Sequence, residues 1–276
     1  MTFIVAILCL CVGSFLNVVI FRSPLKMEIL QHETLLEVGA KSKLSQEAKR
    51  IHNKDVRSVC LRCGKQLRWY HNIPLLSYLF SLGKCRLCGD KISVQYPIIE
   101  ALTAFVCTLS FVILFNSTLS VTFLFYVVFV AIGVAISVID YRHTYIIDKH
   151  NLIYLLSGLV VLSTSDLGFT LEHLMNAILA LLALWLISIL IAKLKGVDEA
   201  MGEGDYPLLV IGLTVASFIT EKHIPLYMNY YVLMLCGLFF VTLFIKWLGK
   251  EKNSEVPFAP AIVSANLVSL AYAMIC

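Results

Sequence analysis

The chain has 276 residues, of which 59% are hydrophobic and only 14% are charged, and its formal net charge is +4. This composition is too apolar for a soluble domain of this size, so it excludes an ordinary soluble enzyme and indicates a polytopic membrane protein. A helix needs about 20 apolar residues to span a bilayer. We therefore predict an all-α membrane protein of about eight transmembrane helices, formed by the apolar segments at about 2–21, 97–115, 119–139, 151–164, 173–192, 206–220, 226–247 and 257–275.

The distribution of basic residues predicts the orientation of these helices. If all eight segments cross, 21 of the 22 Lys and Arg residues fall on one side, and Lys222 alone falls on the other. The positive-inside rule makes the first side cytoplasmic and leaves both termini outside. The first segment does not read as a signal peptide, because no basic residue precedes it and it runs too long.

The chain divides into three predicted regions. Residues 1–22 form the first transmembrane helix, 23–96 form a polar cytosolic loop, and 97–276 form a seven-helix membrane domain. Within the loop, residues 27–56 mix charges with apolar residues at near-helical spacing, which predicts one or two amphipathic helices. A solvated helical insert and a helix on the membrane surface both fit this pattern, and we favour the insert.

Two Cys-x-x-Cys pairs lie in the polar loop about twenty residues apart, and a glycine follows each pair. Four cysteines at this spacing are typical of a tetrahedral four-thiolate zinc site. The alternative is two disulfides, but a cytosolic loop is in a reducing compartment. Zinc with a structural role is therefore the predicted cofactor, since four protein thiolates leave no open position on the metal. The predicted ligands are Cys60, Cys63, Cys85 and Cys88.

Two acids stand at the cytoplasmic ends of apolar segments. Asp140 ends the third segment, and Asp205 opens the sixth within Gly202-Glu203-Gly204-Asp205. Taken singly, Asp205 also reads as a helix cap and Asp140 as a partner for a nearby cation. The two glycines shift the balance, because they let this backbone approach a neighbouring helix closely. Two acids that share one proton can hydrolyse a peptide bond without a metal, so we predict a catalytic pair, with Asp148 and Glu203 in secondary roles.

Further motifs extend over nearly the whole chain. They are Gly13 to Arg22 with Pro24, the two cysteine pairs, Trp69 to Tyr78, Lys91 to Ser93, Tyr96-Pro97, Glu100, the Gly202-x-Gly204-Asp205 motif, and Pro257 to Pro260. With these motifs the chain resembles the type IV prepilin peptidases, which are GxGD-type intramembrane aspartyl proteases and usually also N-methyltransferases. Two residues depart from the family pattern, Ile147 where a proline is common and Pro207 where a lysine is common.

The resemblance implies an inner-membrane enzyme that removes the basic leader of type IV prepilins or pseudopilins. Asp140 and Asp205 are then the catalytic acids, and a helix N terminus at Asp205 nominates that residue as the base. The resemblance also implies methylation of the new N terminus with S-adenosylmethionine. Polar residues near the membrane junctions of the loop are candidates for that second activity, namely Arg22, Asn17 and Glu100.

Two other classes of protein remain as alternatives. A proton-coupled membrane transporter also carries intramembrane acids, but it predicts acids near the middle of the membrane and internal repeats. A non-catalytic scaffold would use the metal loop to bind a partner. The predicted partners are the prepilin substrate and the lipid bilayer, with no nucleic acid, and the sequence leaves the oligomeric state open.

Overall fold

All regular structure in the described part of the chain is helical, apart from isolated β-bridge positions such as the antiparallel bridge between Lys84 and Lys91. The computed structural model describes residues 1–38, 43–45, 48–49, 60, 63, 65–165, 169–195, 202–222, 230–238 and 257–275. The chain separates into two compact units, Met1–Thr108 and Leu109–Cys276.

The first unit begins with one long helix. Helix α1 (Thr2–Glu37) is 36 residues long and has Pro24 inside it. It continues well beyond the predicted membrane segment, because the residues after Pro24 are mainly Leu, Glu, Lys, Met and Gln, which favour helix. The predicted amphipathic region 27–56 thus begins as a direct extension of α1, and most of its remainder lies outside the described residues.

Residues 48–49 are helical, and three longer helical elements follow in the described part of this unit. They are a 3-10 helix (Trp69–Asn72), the short helix α2 (Leu76–Phe80) and helix α3 (Gln95–Ile113), whose last residues belong to the second unit. Helices α1 and α3 approach closely at Gly13, since a Cβ atom there would lie 2.8 Å from the Cα atom of Glu100. The buried thiols of Cys9 on α1 and Cys107 on α3 are also close enough to interact across the same two helices.

The second unit contains five named helices and a helical stretch at 230–238. The named helices are α4 (Val121–His143), α5 (Asp148–Thr164), α6 (Leu171–Lys195), α7 (Asp205–Lys222) and α8 (Ala259–Ile275). Helix α4 packs against α5 and α8, and α7 packs against α5, α6 and α8. Two glycines permit this packing, because a Cβ atom at Gly133 or Gly158 would lie 2.8 Å from Val263 or Ile211 respectively.

A hydrogen-bonded polar cluster lies at the centre of the second unit. The Asn266 side chain on α8 is fully buried and donates to the Tyr154 hydroxyl (3.0 Å) and to the Leu208 carbonyl (2.7 Å). Its Oδ1 atom accepts a hydrogen bond from the Tyr231 hydroxyl (2.6 Å). A buried amide is costly unless it is paired, so this cluster ties α5, α7, α8 and the stretch 230–238 together.

Gly212 makes room for this cluster, and we expect Gly212→Ala to destabilise the protein strongly. A Cβ atom at this position would coincide with the Tyr231 hydroxyl and the Asn266 Oδ1 atom. Overpacking and two broken buried hydrogen bonds should together cost about 3 kcal/mol or more. Thermal unfolding in detergent measures the effect, and Gly237→Ala is the matched control, because no described residue beyond its own helix backbone lies within 4 Å of its new Cβ atom. Equal melting temperatures for the two variants would contradict the prediction.

Among the described residues, four helices are long and apolar enough to cross a membrane: Thr2–Glu37, Gln95–Ile113, Val121–His143 and Leu171–Leu194. They cover the first, second, third and fifth predicted segments. The sixth and eighth segments correspond to the shorter apolar helices Asp205–Thr220 and Ala259–Ile275, and the seventh is described only at 230–238. The chain is thus an all-helical protein with several candidate spans, and eight crossings remain a prediction.

Candidate functional site

The two acids of the predicted pair lie where several helix ends of the second unit meet. Asp140 lies in the last turn of α4, and Asp205 is the first residue of α7. Their carboxyl groups are close enough to interact electrostatically. Like charges at this range favour a state in which the pair shares one proton.

Asp140 is also bound to the start of a third helix. Its side chain is only 6% exposed, and its Oδ2 atom accepts a hydrogen bond from the backbone N–H of Ala259 (2.9 Å). Ala259 is the first residue of α8, so the Asp140 carboxylate faces a helix N terminus. Asp205 stands at the N terminus of α7. The helix-dipole argument therefore applies to both acids and does not distinguish the base from the acid.

The turn before Asp205 is held tightly against the connection between α4 and α5. The Asp205 N–H donates to the Gly202 carbonyl (3.1 Å), which closes the turn. A Cβ atom at Gly204 would lie 2.9 Å from the Cβ atom of Ile146, closer than real side chains pack. Position 204 therefore needs glycine for close approach. Position 202 is less restricted, since its Cβ atom would lie 3.4 Å from the Asp205 carboxylate, an ordinary contact.

Asn151 holds the same turn from the first part of α5, although no sequence motif predicts this role. Its side chain is 5% exposed, and its Nδ2 atom donates to the Gly204 carbonyl (2.8 Å). The one sequence feature that could have indicated this role is that Asn151 is a polar amide at the start of an apolar segment. Asp148 and Glu203, which we expected to be secondary, are both exposed.

The four loop cysteines come together in the first unit. Their sulfur atoms all lie within 4.8 Å of one another, and the Cys60 and Cys88 sulfurs are 3.8 Å apart. Four thiolates around zinc at about 2.3 Å give a sulfur–sulfur edge of about 3.8 Å in a regular tetrahedron. The cluster therefore has the donor set and the spacing to hold zinc. None of the described cysteines forms a disulfide.

Backbone turns aim the cysteines of each pair at this common point. The Cys85 N–H donates to the Asp90 carbonyl (2.7 Å), and the Leu87 N–H points at the Cys85 sulfur (3.5 Å). Gly89 adopts a φ of 78°, which glycine tolerates best, as expected for the residue after the second cysteine. In the other pair, the Cys60 N–H donates to the Lys65 carbonyl (2.9 Å).

We expect the purified protein to contain about one zinc per chain and Cys60→Ser to lose it, because three thiolates hold zinc less tightly than four. Elemental analysis of protein purified without chelators measures this content. Cys236→Ser is the matched control, since Cys236 is an exposed thiol on the stretch 230–238, outside the cluster. Equal metal content in the two variants, or none in the unaltered protein, would contradict the prediction.

The three polar residues proposed for methyl transfer all lie in the first unit. Asn17 is buried on α1 and donates to the Tyr96 carbonyl (3.1 Å). Glu100 is buried on α3, and its Oε2 atom accepts a hydrogen bond from the Leu75 N–H (2.8 Å). Arg22 lies further along α1 and is partly exposed. Asn17 and Glu100 thus have backbone partners, and both help to join α1, α3 and the loop.

Comparison with known proteins identifies the family. Residues 7–114 match the family model described as the bacterial peptidase A24 N-terminal domain. A prepilin leader peptidase/N-methyltransferase of Dichelobacter nodosus is 29% identical over 274 residues, which cover 98% of this chain and 91% of the relative. The protein of the same name from Neisseria gonorrhoeae is 34% identical over 213 residues, 74% of this chain and 70% of the relative.

A third relative has a different name and is also similar over nearly the whole chain. The type 4 prepilin-like proteins leader peptide-processing enzyme of Escherichia coli O78:H11 is 29% identical over 268 residues, 95% of this chain and 90% of the relative. No solved structure matches the chain at a significant level. The identity to the Neisseria relative over more than two thirds of its length shows that this chain belongs to the prepilin leader peptidase/N-methyltransferase family.

Proposed function

We propose that this protein is a membrane-embedded prepilin leader peptidase that also methylates the N terminus it creates. The observation that carries the peptidase is the pairing of Asp140 with Asp205 at the junction of α4, α7 and α8. The names of its relatives, which span nearly the whole chain, support both activities. The substrate is then a prepilin or pseudopilin, with a basic leader in the cytosol followed by an apolar helix in the bilayer.

The proposed chemistry uses the two acids in opposite protonation states. The ionised carboxylate takes a proton from a water molecule as the water oxygen attacks the scissile carbonyl carbon. The protonated acid gives its proton to the carbonyl oxygen, and proton return to the amide nitrogen releases the leader and the new N terminus. The two acids titrate as one unit, and either acid can fill either role in this geometry.

We place this pair at the cytoplasmic face of the membrane. The distribution of basic residues supports that orientation. The helix ends at Asp140, Asp205 and Ala259 lie together, which agrees with cytoplasmic connections before α5, α7 and α8. A substrate helix can then lie in the bilayer while its scissile bond stays at the water-accessible face.

Asn151 is the proposed positioning residue of the pair. Its hydrogen bond to the Gly204 carbonyl holds the turn that presents Asp205. We expect Asn151→Ala to lower kcat about 10- to 100-fold with little change in KM, since catalytic acids tolerate only small displacements. Asn151→Asp keeps the shape but removes the donor when ionised, so it should show the same loss. Asn151→Gln, which keeps an amide donor, should recover part of kcat. Equal kcat in all three variants, or losses that follow the melting temperature, would contradict this role.

The methyltransferase activity is assigned to the first unit. The cysteine cluster and the buried polar contacts of Asn17 and Glu100 give this unit a folded region beside the spans. When bound, S-adenosylmethionine would supply an electrophilic methyl group to the free amine of the cleaved substrate, with S-adenosylhomocysteine as the leaving group and loss of a proton from the amine. The roles of Asn17, Glu100 and Arg22 in this reaction are proposals that rest on their place near the membrane junctions of the loop.

Co-expression with candidate prepilins tests both activities in one measurement. Mass spectrometry of the substrate N terminus should show removal of the leader and a mass increase of one methyl group. Uncleaved substrate with every candidate would overturn the peptidase assignment. Cleaved substrate without a methyl group, with S-adenosylmethionine in excess, would reduce the protein to a peptidase.

A further inference from the structure

One segment of the polar loop reaches the level of the membrane spans. The Leu75 N–H donates to Glu100, which lies inside the candidate span Gln95–Ile113. The Asn72 carbonyl faces the hydroxyl of Ser14 (3.5 Å), which lies inside the apolar part of α1. Ser14 is eight residues before Arg22, or about 12 Å along the helix. The segment from Asn72 to Leu75 therefore lies beside the apolar part of α1, within the membrane-spanning region and not beyond its end at Arg22.

The residues that follow Leu75 include large apolar side chains that are highly exposed in the structure. In α2 and its C-terminal turn the exposed fractions are 64% for Leu79, 73% for Phe80 and 85% for Leu82. Leu82 also has a left-handed backbone conformation, with a φ of 51°, which is unfavourable for a leucine. Clusters of exposed large apolar side chains of this kind mark contact surfaces.

Basic residues border this apolar cluster. Lys84, Arg86 and Lys91 are all exposed, and Arg86 donates to the Phe80 carbonyl (3.3 Å), which places its side chain beside the apolar residues. Asp90 is the only acid between residues 76 and 94. Apolar side chains next to a basic border are the pattern of a segment that lies in the interface of an anionic membrane.

We propose that residues 76–82 form an interfacial anchor, which inserts Leu79, Phe80 and Leu82 into the bilayer leaflet on the side of the cysteine cluster. Lys84, Arg86 and Lys91 contact anionic lipid headgroups at its edge. The hydrogen bond from Leu75 to Glu100 fixes the start of the anchor beside a membrane span. The second cysteine pair, Cys85 and Cys88, follows the anchor directly, so the anchor holds the cysteine cluster at the membrane surface.

The depth of Leu82 in a bilayer tests this assignment. The full chain, in nanodiscs of phosphatidylethanolamine and phosphatidylglycerol, carries a nitroxide on a non-canonical amino acid, which leaves the cysteines unlabelled. We expect oxygen to raise the relaxation rate of the nitroxide at position 82 more than a water-soluble nickel chelate does. A label at Gln66, an exposed polar residue of the same loop, should show the reverse. Unchanged zinc content verifies that both labelled proteins are folded.

Each other outcome counts against the anchor. A label at position 82 with the accessibility of Gln66 means that the segment lies in water, and it overturns the proposal. Low accessibility to both reagents means that another protein surface covers Leu82, and it overturns the lipid assignment. The triple variant of Lys84, Arg86 and Lys91 to Gln should make the position-82 label measurably shallower. An unchanged depth would remove the headgroup contacts from the proposal.

Discussion

Replacing either member of the acid pair by asparagine should abolish leader cleavage. Asp140→Asn and Asp205→Asn each keep the size of the side chain but remove the group that exchanges a proton with water or substrate. We expect each single variant to lose about 10³-fold or more in kcat, and the double variant to lose little more, because the two acids act as one unit. Mass spectrometry of a co-expressed prepilin, and single-turnover cleavage with purified enzyme, measure these losses.

Glu203→Gln is the matched control for the acid pair. Glu203 is exposed and lies two residues before Asp205, so its substitution makes the same chemical change beside the site. The Glu203→Gln variant should cleave the prepilin at a rate within a few-fold of that of the unaltered enzyme. Near-normal cleavage by Asp140→Asn or Asp205→Asn under limiting enzyme would show that the pair is wrongly assigned. Loss of cleavage in Glu203→Gln of the same size would point to general damage.

The positions of the candidate site residues were predictable because their type and spacing are informative. Four cysteines in two short pairs predict a shared metal position, and their sulfurs do converge within 4.8 Å. Acids at the ends of apolar segments are costly, so their presence predicts a purpose. The positive-inside rule predicts that Asp140 and Asp205 lie on the same side of the membrane, and the two carboxyl groups are close enough to interact.

The residues that hold this chemistry in place were not predictable. Asn151 and Ile146 act on the Asp205 turn through a hydrogen bond and a close contact, and neither depends on a motif. Asn266 and Tyr231 meet across 35 positions of sequence, and pairing of that kind follows from the packing of helices. An apolar run shows that a helix spans or is buried, but it does not show which neighbour a buried amide will meet.

The C-terminal end of α1 was likewise not predictable from hydropathy. Hydropathy ends the first segment near residue 21, whereas the helix continues to Glu37. The membrane decides where the apolar residues stop, and local propensity decides where the helix stops. The two ends coincide only when a helix breaker stands at the interface, and Pro24 is accommodated inside the helix.

Substitution of Gly204 tests whether close packing of this turn positions Asp205. We expect Gly204→Ala to lower kcat about 10²-fold. The new Cβ atom would lie 2.9 Å from the Cβ atom of Ile146, so the turn that carries Asp205 must move. A displacement of about 1 Å is enough to cost this factor in a catalytic pair. Gly202→Ala should lose far less, because the nearest described atom to its new Cβ atom is an Asp205 carboxylate oxygen at 3.4 Å, an ordinary contact.

A second substitution decides whether this steric contact causes the loss. Only glycine at position 146 removes the Cβ atom that Gly204→Ala would strike, so Gly204→Ala with Ile146→Gly should recover much of kcat. Ile146→Ala keeps that Cβ atom and should not rescue. Single-turnover cleavage by the unaltered enzyme, Gly204→Ala, Ile146→Gly and their double variant, compared as a double-mutant cycle, measures the coupling between the two positions. The same cycle with Ile146→Ala is the control. If Ile146→Gly and Ile146→Ala rescue equally, or if neither rescues, close packing of Gly204 against Ile146 is not what places Asp205.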